Sequence, residues 1–486
     1  MLIERIYDWA HKTPERTALV WNDQPVSYAR FARGIDGAHR FLRVHDLPVG
    51  SMAVVVIDNL LDCWTMILTL RSLGMNTVAV LNLDVAMTLG LKGVSCVLSD
   101  TIEGQLSTTA AQAWPGAVHI QVPRFFYRQI ADGPPPTLDS ARPIAGDHLI
   151  YTSGTTGRYK LIVQLARNEL DQLEQAQSFG VRADEPWFVG NLRMWTAVGY
   201  WSPIAVWCLG GHVVFDQRQD WAQYFVRRPC GTMLVPDMVS ALLAQDRQPN
   251  APGHWVLWVS GGFITTGQAL LIKQQLTTDL RIGYGSSEMR RSALYSRVDD
   301  VEQMHWLSVA PGRSVEIVDE NDQLCGVGEE GQLRMRLESY DAQSYLDDET
   351  ASRLVFRQGY LYPGDMAVQR SDGCIRVLGR NADVLNVKGN KMAVAPVEQA
   401  IQDLLGVSAV CIFNGIDEKG FEEVLVVCEG GQQPSASEFD LLRSQLSVFD
   451  HVRWIMQPVF PRTKSGVSKV DRWTLRQQIF GAVSKD

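Results

Sequence analysis

YTSGTTGRYK, Tyr151 to Lys160, gathers two glycines, a run of hydroxyl side chains and a basic end in one short stretch. Glycines let backbone N–H groups approach an anion, Ser and Thr hydroxyls donate to it, and Lys160 adds charge, so the chemistry is that of a phosphate-holding loop. A Walker A loop needs the order G-x-x-x-x-G-K-[ST]. Here only Thr155 and Thr156 separate Gly154 from Gly157, and Arg158 and Tyr159 precede the lysine, so a P-loop NTPase is excluded. Taken alone, the stretch also reads as an ordinary polar turn.

Outward from the loop, HLIYT (His148 to Thr152) reads as the strand that feeds it. Further upstream, Ser27 to Phe41 reads as a helix with Ser27 as N-cap after a turn at Pro25, and Leu61 to Leu73 as a second helix. The apolar runs Met52 to Ile57 and Thr77 to Leu81 read as buried strands, and the Pro-rich Asp132 to Pro143 as a connector. Strands at Val256 to Val259 and Leu280 to Tyr284 continue the pattern. Helix and strand in alternation predict an α/β fold with parallel-rich sheets packed with helices. From about Arg313, SVEIVDENDQLC, GQLRMRLES and GCIRVLG alternate as antiparallel strands do, which predicts a β-rich subdomain. Past Arg380 a small α+β unit is expected. It has a helix over Ala395 to Leu405, strands at Ala409 to Phe413 and Val424 to Cys428, and a polar helix after Ser437.

The bulk composition fits this organisation. A chain of 486 residues divides into about two to four units. Hydrophobic residues make up 46% and charged residues 20%, the balance of a globular protein with a sizeable core. A net charge of -9 with no long basic run argues against a nucleic-acid partner. The eight cysteines stand singly, without CxxC pairs or zinc-finger spacing, as expected of mostly buried thiols in a reduced, cytoplasmic protein. The N-terminus is interrupted by charges, unlike a signal peptide, and Leu2, Ile3, Ile6, Tyr7 and Trp9 mark a short amphipathic helix. Met194 to Phe215 carries no full charge and reaches the ~20 residues of a membrane span. Gly199, Pro203, Gly210 and Gly211 break it, so a buried helix, a Gly-Gly turn and a buried strand are expected, with no membrane partner.

Five further stretches accompany the loop: SGG at Ser260 to Gly262, GYGSSE at Gly283 to Glu288, YPGD at Tyr362 to Asp365, GRNAD at Gly379 to Asp383, and PRTKSGVSKVDR at Pro461 to Arg472. In this order, and from about Glu4 to Leu475, the chain resembles the adenylate-forming superfamily of acyl- and aryl-CoA synthetases, nonribosomal-peptide adenylation domains and firefly luciferase. The resemblance implies a large N-terminal domain, 1–380, that binds ATP and an acid. It also implies a small mobile C-terminal domain, 381–486, that turns about a hinge at Asp383.

It implies site residues as well. Thr152, Ser153, Gly154, Thr155, Thr156, Gly157 and Lys160 would hold the ATP phosphates. Gly261 and Gly262 would lie beside the adenine and Tyr284 would stack on it, flanked by Gly285 and Ser286. Ser287 would contact the α-phosphate and Glu288 would help hold Mg2+. Asp365 would bind the ribose hydroxyls, as a carboxylate suits a vicinal diol. Arg380 would contact ribose or phosphate, and Val377 belongs to the same nucleotide site. Lys469, with Lys464 as the lesser candidate, would grip the substrate carboxylate and the α-phosphate, and the catalytic set would be Lys469, Thr152 and Glu288. Tyr159 stands where the family usually has proline, Pro363 where it has threonine, and Asn386 where it has lysine.

The implied reaction joins a carboxylic acid to AMP with release of pyrophosphate, then passes the acyl group to the thiol of CoA or of the phosphopantetheine on a separate carrier protein. The segment Asn191 to Trp207 would line the acid pocket, with Trp195, Ala197, Tyr200, Trp201 and Gly283 as pocket residues and Arg193 or Arg281 meeting a second polar group. Trp195, Tyr200 and Trp201 read equally as core packing. No acidic residue occurs between Glu185 and Asp216, so an α-ammonium would lack a partner and an aryl or short acid is favoured. An amino acid held by a non-standard anchor, or an inactive homologue that serves as a binding partner, are the alternatives.

Overall fold

The computed structural model describes residues 2–100, 111–139, 142–153, 159–171, 176–177, 179–218, 221, 231–245, 252–380, 384–387, 390–416, 422–430, 434–445, 452–463 and 470–480. Among these residues the chain builds two large helix-packed sheets, a smaller β-rich sheet and a C-terminal α+β unit. The first sheet runs Val118–Gln121, Val94–Ser99, Met52–Val56, Asn76–Ala79, His148–Ser153, Tyr159–Gln164. All its pairings are parallel except the last, a hairpin in which Thr152 lies opposite Lys160. Met52–Val56 is buried along its whole length, as a strand covered on both faces must be.

The second sheet has a parallel centre. Gly231–Leu234, Gly253–Ser260 and Thr277–Tyr284 run side by side, with Ser260 opposite Gly283. Leu294–Arg297 then returns antiparallel along Thr277–Tyr284. The β-rich sheet is antiparallel and pairs Asp365 with Arg380. In the C-terminal unit, Val384–Val387 pairs with Asn390–Ala393, and Ala409–Ile416, Glu422–Glu429 and Val452–Gln457 form a three-stranded sheet. Helix Val394–Leu405 packs on that sheet through Val397 and Ile401, and this unit has apolar clusters of its own.

Local chemistry explains several of the helices. Ser27 caps Tyr28–Arg43, its side chain accepting from Arg30 N. Asn59 caps Leu60–Ser72, a helix buried on every side between the sheets. The uncharged stretch at Met194 to Phe215 becomes helix Ala197–Cys208 and strand His212–Phe215. Gly210 between them has φ +74°, and a Cβ there would lie 2.6 Å from the Trp9 ring, so the turn requires glycine. No helix among the described residues is long and apolar enough to cross a membrane.

A buried polar cluster ties these pieces together. Arg71, on helix Leu60–Ser72, donates to Glu169 Oε1 at 2.5 Å, to Tyr200 Oη at 2.9 Å and to the Gly146 carbonyl at 2.8 Å. Glu169 also accepts from Leu2 N at 3.1 Å, so the N-terminal helix Leu2–Lys12 is held by the same carboxylate. Gly146 is obligatory, since a Cβ there would lie 1.8 Å from the Met75 carbonyl oxygen. The Tyr200 ring stacks on His148 at 4.5 Å and on Trp64 at 5.9 Å. His148 meets Thr77 Oγ1 at 2.9 Å and the Met194 carbonyl at 3.0 Å. Burial, reinforced by the Arg71 charge, pushes its imidazole down to about 3 from an ordinary 6.5, so it is neutral in the folded protein.

Two outcomes are expected. Glu169→Gln or Arg71→Met leaves one buried charge without its partner and should cost about 3–5 kcal/mol of folding stability in urea unfolding, against about 1 kcal/mol for Tyr200→Phe. As pH falls below 6.5 the unfolded chain takes up the His148 proton before the folded one does, so stability is complete above that pH and declines toward the folded value. The slope is up to about 1.4 kcal/mol per pH unit for this one group, and urea titrations of His148→Gln between neutrality and the carboxylate range should lack that component.

Candidate functional site

Parallel strands that end side by side leave a crevice beyond their carboxyl ends, where backbone groups and loop side chains converge. Here that crevice is a cavity of about 1070 Å³. Ser260, Gly261 and Gly262 line it from the end of Gly253–Ser260, and Gly283 and Tyr284 from the end of Thr277–Tyr284. Gly261 has φ +82°, a turn open to glycine. From the other large sheet, the hairpin brings Thr152 and Lys160 to the same space. Gly154, Thr155, Thr156 and Gly157 lie outside the described residues, as does the side chain of Ser153. Tyr159, in the place of the expected proline, turns its ring onto Tyr151 at 5.2 Å.

The loop after Thr277–Tyr284 supplies Gly285, Ser286, Ser287 and Glu288 to the cavity wall. Tyr345 donates its hydroxyl to Glu288 Oε1 at 2.5 Å, and the Lys160 ammonium sits 4.8 Å from the centre of the Tyr345 ring. One aromatic side chain therefore orients both the carboxylate and the lysine. Tyr284 donates to Asp365 Oδ2 at 2.5 Å, joining two residues 81 apart in sequence. The Ser286 hydroxyl is buried with no hydrogen-bond partner among the described residues, and it lies in the cavity wall. Val377 also lines the cavity; Arg380 is placed by its backbone pairing with Asp365, and its side chain is outside the described set. His305 lines the cavity too, and burial, then the nearby Arg376, pushes it down to about 4.

The opposite wall comes from helix Ala197–Cys208. Ala197, Val198, Trp201, Ser202 and Ala205 face the cavity. Trp195 and Tyr200 do not line it, which corrects the expectation for both. Trp195 stacks on Tyr151 at 6.3 Å, and Tyr200 is fully buried in the Arg71–Glu169 cluster. A helix shows successive residues to different sides, so Trp201 can face the cavity while Tyr200 points into the core. The two arginines expected near a substrate are also elsewhere. Arg193 pairs with Asp58 at 2.7 Å and Arg281 with Asp279 at 2.9 Å. The arginine that lines the cavity beside Trp201 is Arg290, its guanidinium 4.3 Å from the centre of that ring.

In the C-terminal unit, Asp383, Lys464 and Lys469 lie outside the described residues. The chain on either side of 464–469 is held together, with Arg462 bridged to Val470 and Asp471 N donating to the Pro461 carbonyl at 2.8 Å. Arg472, the arginine of KVDR, lines the cavity and donates to Glu398 at 2.8 and 3.0 Å and to the Ile412 carbonyl at 3.0 Å. Sequence reasoning overlooked Arg472, Arg290 and Tyr345. The intact KVDR was a signal for the first; for the other two, one Arg among many and one Tyr in SYLDD carry none. Arg472→Met should cost the C-terminal unit about 1.5–3 kcal/mol, the value of hydrogen bonds to a charged partner. Hydrogen exchange should then speed up in helix Arg472–Phe480 and leave the Leu60–Ser72 helix unchanged.

Known proteins similar to this chain share its family and its fold. The model of the family described as AMP-binding enzyme matches residues 6–340. The chain is 25% identical to the 4-hydroxybenzoate--CoA/benzoate--CoA ligase of Rhodopseudomonas palustris, over 73% of this chain and 71% of that protein. It is 23% identical to the 3-hydroxybenzoate--CoA/4-hydroxybenzoate--CoA ligase of Thauera aromatica, over 96% and 94%. The fold is similar to that of ATP-bound MatB from Rhodopseudomonas palustris, with a TM-score of 0.83 at 18% identity over 99% of both chains.

Proposed function

The chain belongs to the AMP-binding enzyme family, and from that premise we propose that it is an acid–thiol ligase. It adenylates a carboxylic acid with ATP, releases pyrophosphate, and transfers the acyl group to a pantetheine thiol, either of CoA or of a separate carrier protein. One observation carries the reading. Thr152 and Lys160 from the hairpin, Tyr284 and Glu288 from the end of Thr277–Tyr284 and its loop, and Asp365 from the β-rich sheet line one cavity, whose far wall is the mostly apolar face of Ala197, Val198 and Trp201. That is a polar nucleotide end facing an acid pocket. The named ligases to which the chain is similar act on benzoate and hydroxybenzoates, which supports an aryl or short acid.

The chemistry asks for positioning and charge neutralisation. A carboxylate approaching an α-phosphate is repelled, since like charges at ~4 Å cost about 4 kcal/mol at an effective dielectric of about 20. Lys469 would offset that repulsion and Lys160 would balance the departing phosphates. Tyr284 presents a flat ring to the base and Asp365 a paired acceptor to the ribose, in place of the hydroxyl it now holds. Among the described residues no group of three or more His, Cys, Asp and Glu gathers to hold a metal. Glu288 fits Mg2+ instead as one carboxylate sharing the ion with substrate phosphates and water. When bound, that ion supplies charge neutralisation on the phosphate oxygens. Residues 381–486 would turn about Asp383 between the adenylation and thiol-transfer steps.

Against an amino-acid substrate, the carboxylates among the described lining residues are Glu288 and Asp365. Both are engaged by tyrosine hydroxyls, and neither stands on the Ala197–Cys208 wall. ATP–pyrophosphate exchange across aryl, fatty, short hydroxy, dicarboxylic and amino acids tests the proposal. Exchange with one class of non-amino acid is expected. In Lys469→Ala it should fall by about a hundredfold or more. Tyr284→Phe keeps the ring and should bind ATP within about threefold of wild type, whereas Tyr284→Ala should weaken it by about tenfold. ATP binding with no exchange on any acid would favour the inactive homologue.

A further inference from the structure

The wall of the acid pocket carries a cation that adenylation does not use. Arg290 is buried, 6% exposed, and lies over Trp201, the large aromatic residue of that wall. Its backbone is fixed by donation from Arg290 N to Asp341 Oδ1 at 3.1 Å, and Asp341 is itself clamped by Arg313 at 2.5 and 2.9 Å. The guanidinium reaches Asp171 at 3.4 Å, a carboxylate that is half exposed. The other charged residues that line the cavity have different positions. Lys160 and Glu288 flank Tyr345, Asp365 holds Tyr284, Arg472 holds Glu398, and Arg291 lies against Tyr340 and donates to the Asp171 carbonyl. Burial lowers the Arg290 guanidinium to about 10, which leaves it protonated at neutral pH. Arg290 lines the cavity together with Ala197, Val198, Trp201, Ser202 and Ala205, and a buried guanidinium there suits a ligand carboxylate in addition to Asp171.

We infer that Arg290, packed over Trp201, is a specificity-determining residue that binds a second carboxylate at the far end of the substrate, so that the preferred acid is dicarboxylic. The inference rests on the adenylation reading and deepens it. Guanidinium matches carboxylate geometry with two parallel donors, and the indole packs against it with the ring centre 4.3 Å away. The small side chains at Ala197, Gly283 and Ser292 leave room for the acid between this charge and the nucleotide end. A Cβ on Gly283 would already touch Ser292 Oγ and the Trp258 ring at 3.4 Å. The expected arginine, Arg281, pairs with Asp279 over Trp258 and is not among the residues that line the cavity, whereas Arg290 is.

The test is pyrophosphate exchange with pairs of acids that differ only by methyl against carboxylate: 3-toluate against isophthalate, 4-toluate against terephthalate, butyrate against succinate, valerate against glutarate. The wild-type protein should prefer the diacid of at least one pair by about tenfold to a hundredfold in kcat/KM. Arg290→Met should erase that preference through KM of the diacid and leave the methyl acid and ATP within about threefold. Arg290→Lys, which keeps the charge and loses the fork, should retain part of it, and it decides the matter if the Met variant does not fold. Preference for the methyl acid in every pair overturns the inference and leaves the adenylation reading intact. Equal loss on both members of a pair in Arg290→Met also overturns it, because the arginine would then serve the reacting carboxylate or the fold. Absence of exchange with every acid overturns both readings together.

Discussion

A buried guanidinium ties together the pieces of chain on which the site stands. Arg71 is 3% exposed. Isolated there, its charge would cost several kcal/mol, and it is tolerable only because Glu169, Tyr200 and the Gly146 carbonyl surround it. The requirement spreads outward. Glu169 must stay near, so Leu2 and the N-terminal helix stay with it. Tyr200 must present its hydroxyl to the core, so Trp201 is turned to the cavity. His148 must stay neutral under the Tyr200 ring, so the strand that leads to Thr152 is registered against Thr77 and Met194. A buried polar cluster adds little net stability by itself, but each partner it demands fixes one wall of the site.

The cavity shows the same economy at its surface. Tyr345 couples Glu288 to Lys160, and Tyr284 holds Asp365. Both tyrosines satisfy carboxylates that would otherwise lie poorly solvated beside an apolar wall, and both donors can be exchanged for ligand groups of similar chemistry. Such preorganisation is what an electrostatic mechanism needs, since no covalent group from the protein is asked to react. The pair between Arg472 and Glu398 extends the principle to the C-terminal unit, where it anchors the chain just past the 464–469 segment.

Much of the fold is legible in the chain because burial leaves period and punctuation. Met52–Val56 is an apolar run bounded by polar residues, and Ser27 and Asn59 sit where helix N-caps belong. The uncharged Met194 to Phe215 reads correctly as helix, turn and strand because Gly210 and Gly211 interrupt it. The candidate site is less evenly legible. Glycines, hydroxyls and carboxylates in fixed spacing identify Thr152, Tyr284, Glu288 and Asp365 as candidates, since backbone approach and metal or diol binding demand those residue types. Trp195, Tyr200, Arg193 and Arg281 went astray because the sequence shows that an aromatic ring or a guanidinium is present, and not which way it turns.

The sequence by itself determined the α/β alternation, the antiparallel texture after Arg313, the small unit after Arg380 and the order of the motifs, each of which follows from local periodicity or local turn chemistry. Which aromatic residue of this segment faces the cavity, and which arginine stands beside it, was settled by the three-dimensional packing. Those choices depend on partners far along the chain: Glu169 for Tyr200, Asp58 for Arg193, Asp279 for Arg281 and Trp201 for Arg290. Hydrophobic pattern is a property of neighbours in sequence. The pairing of a buried charge is a property of neighbours in space, and no local signal announces it.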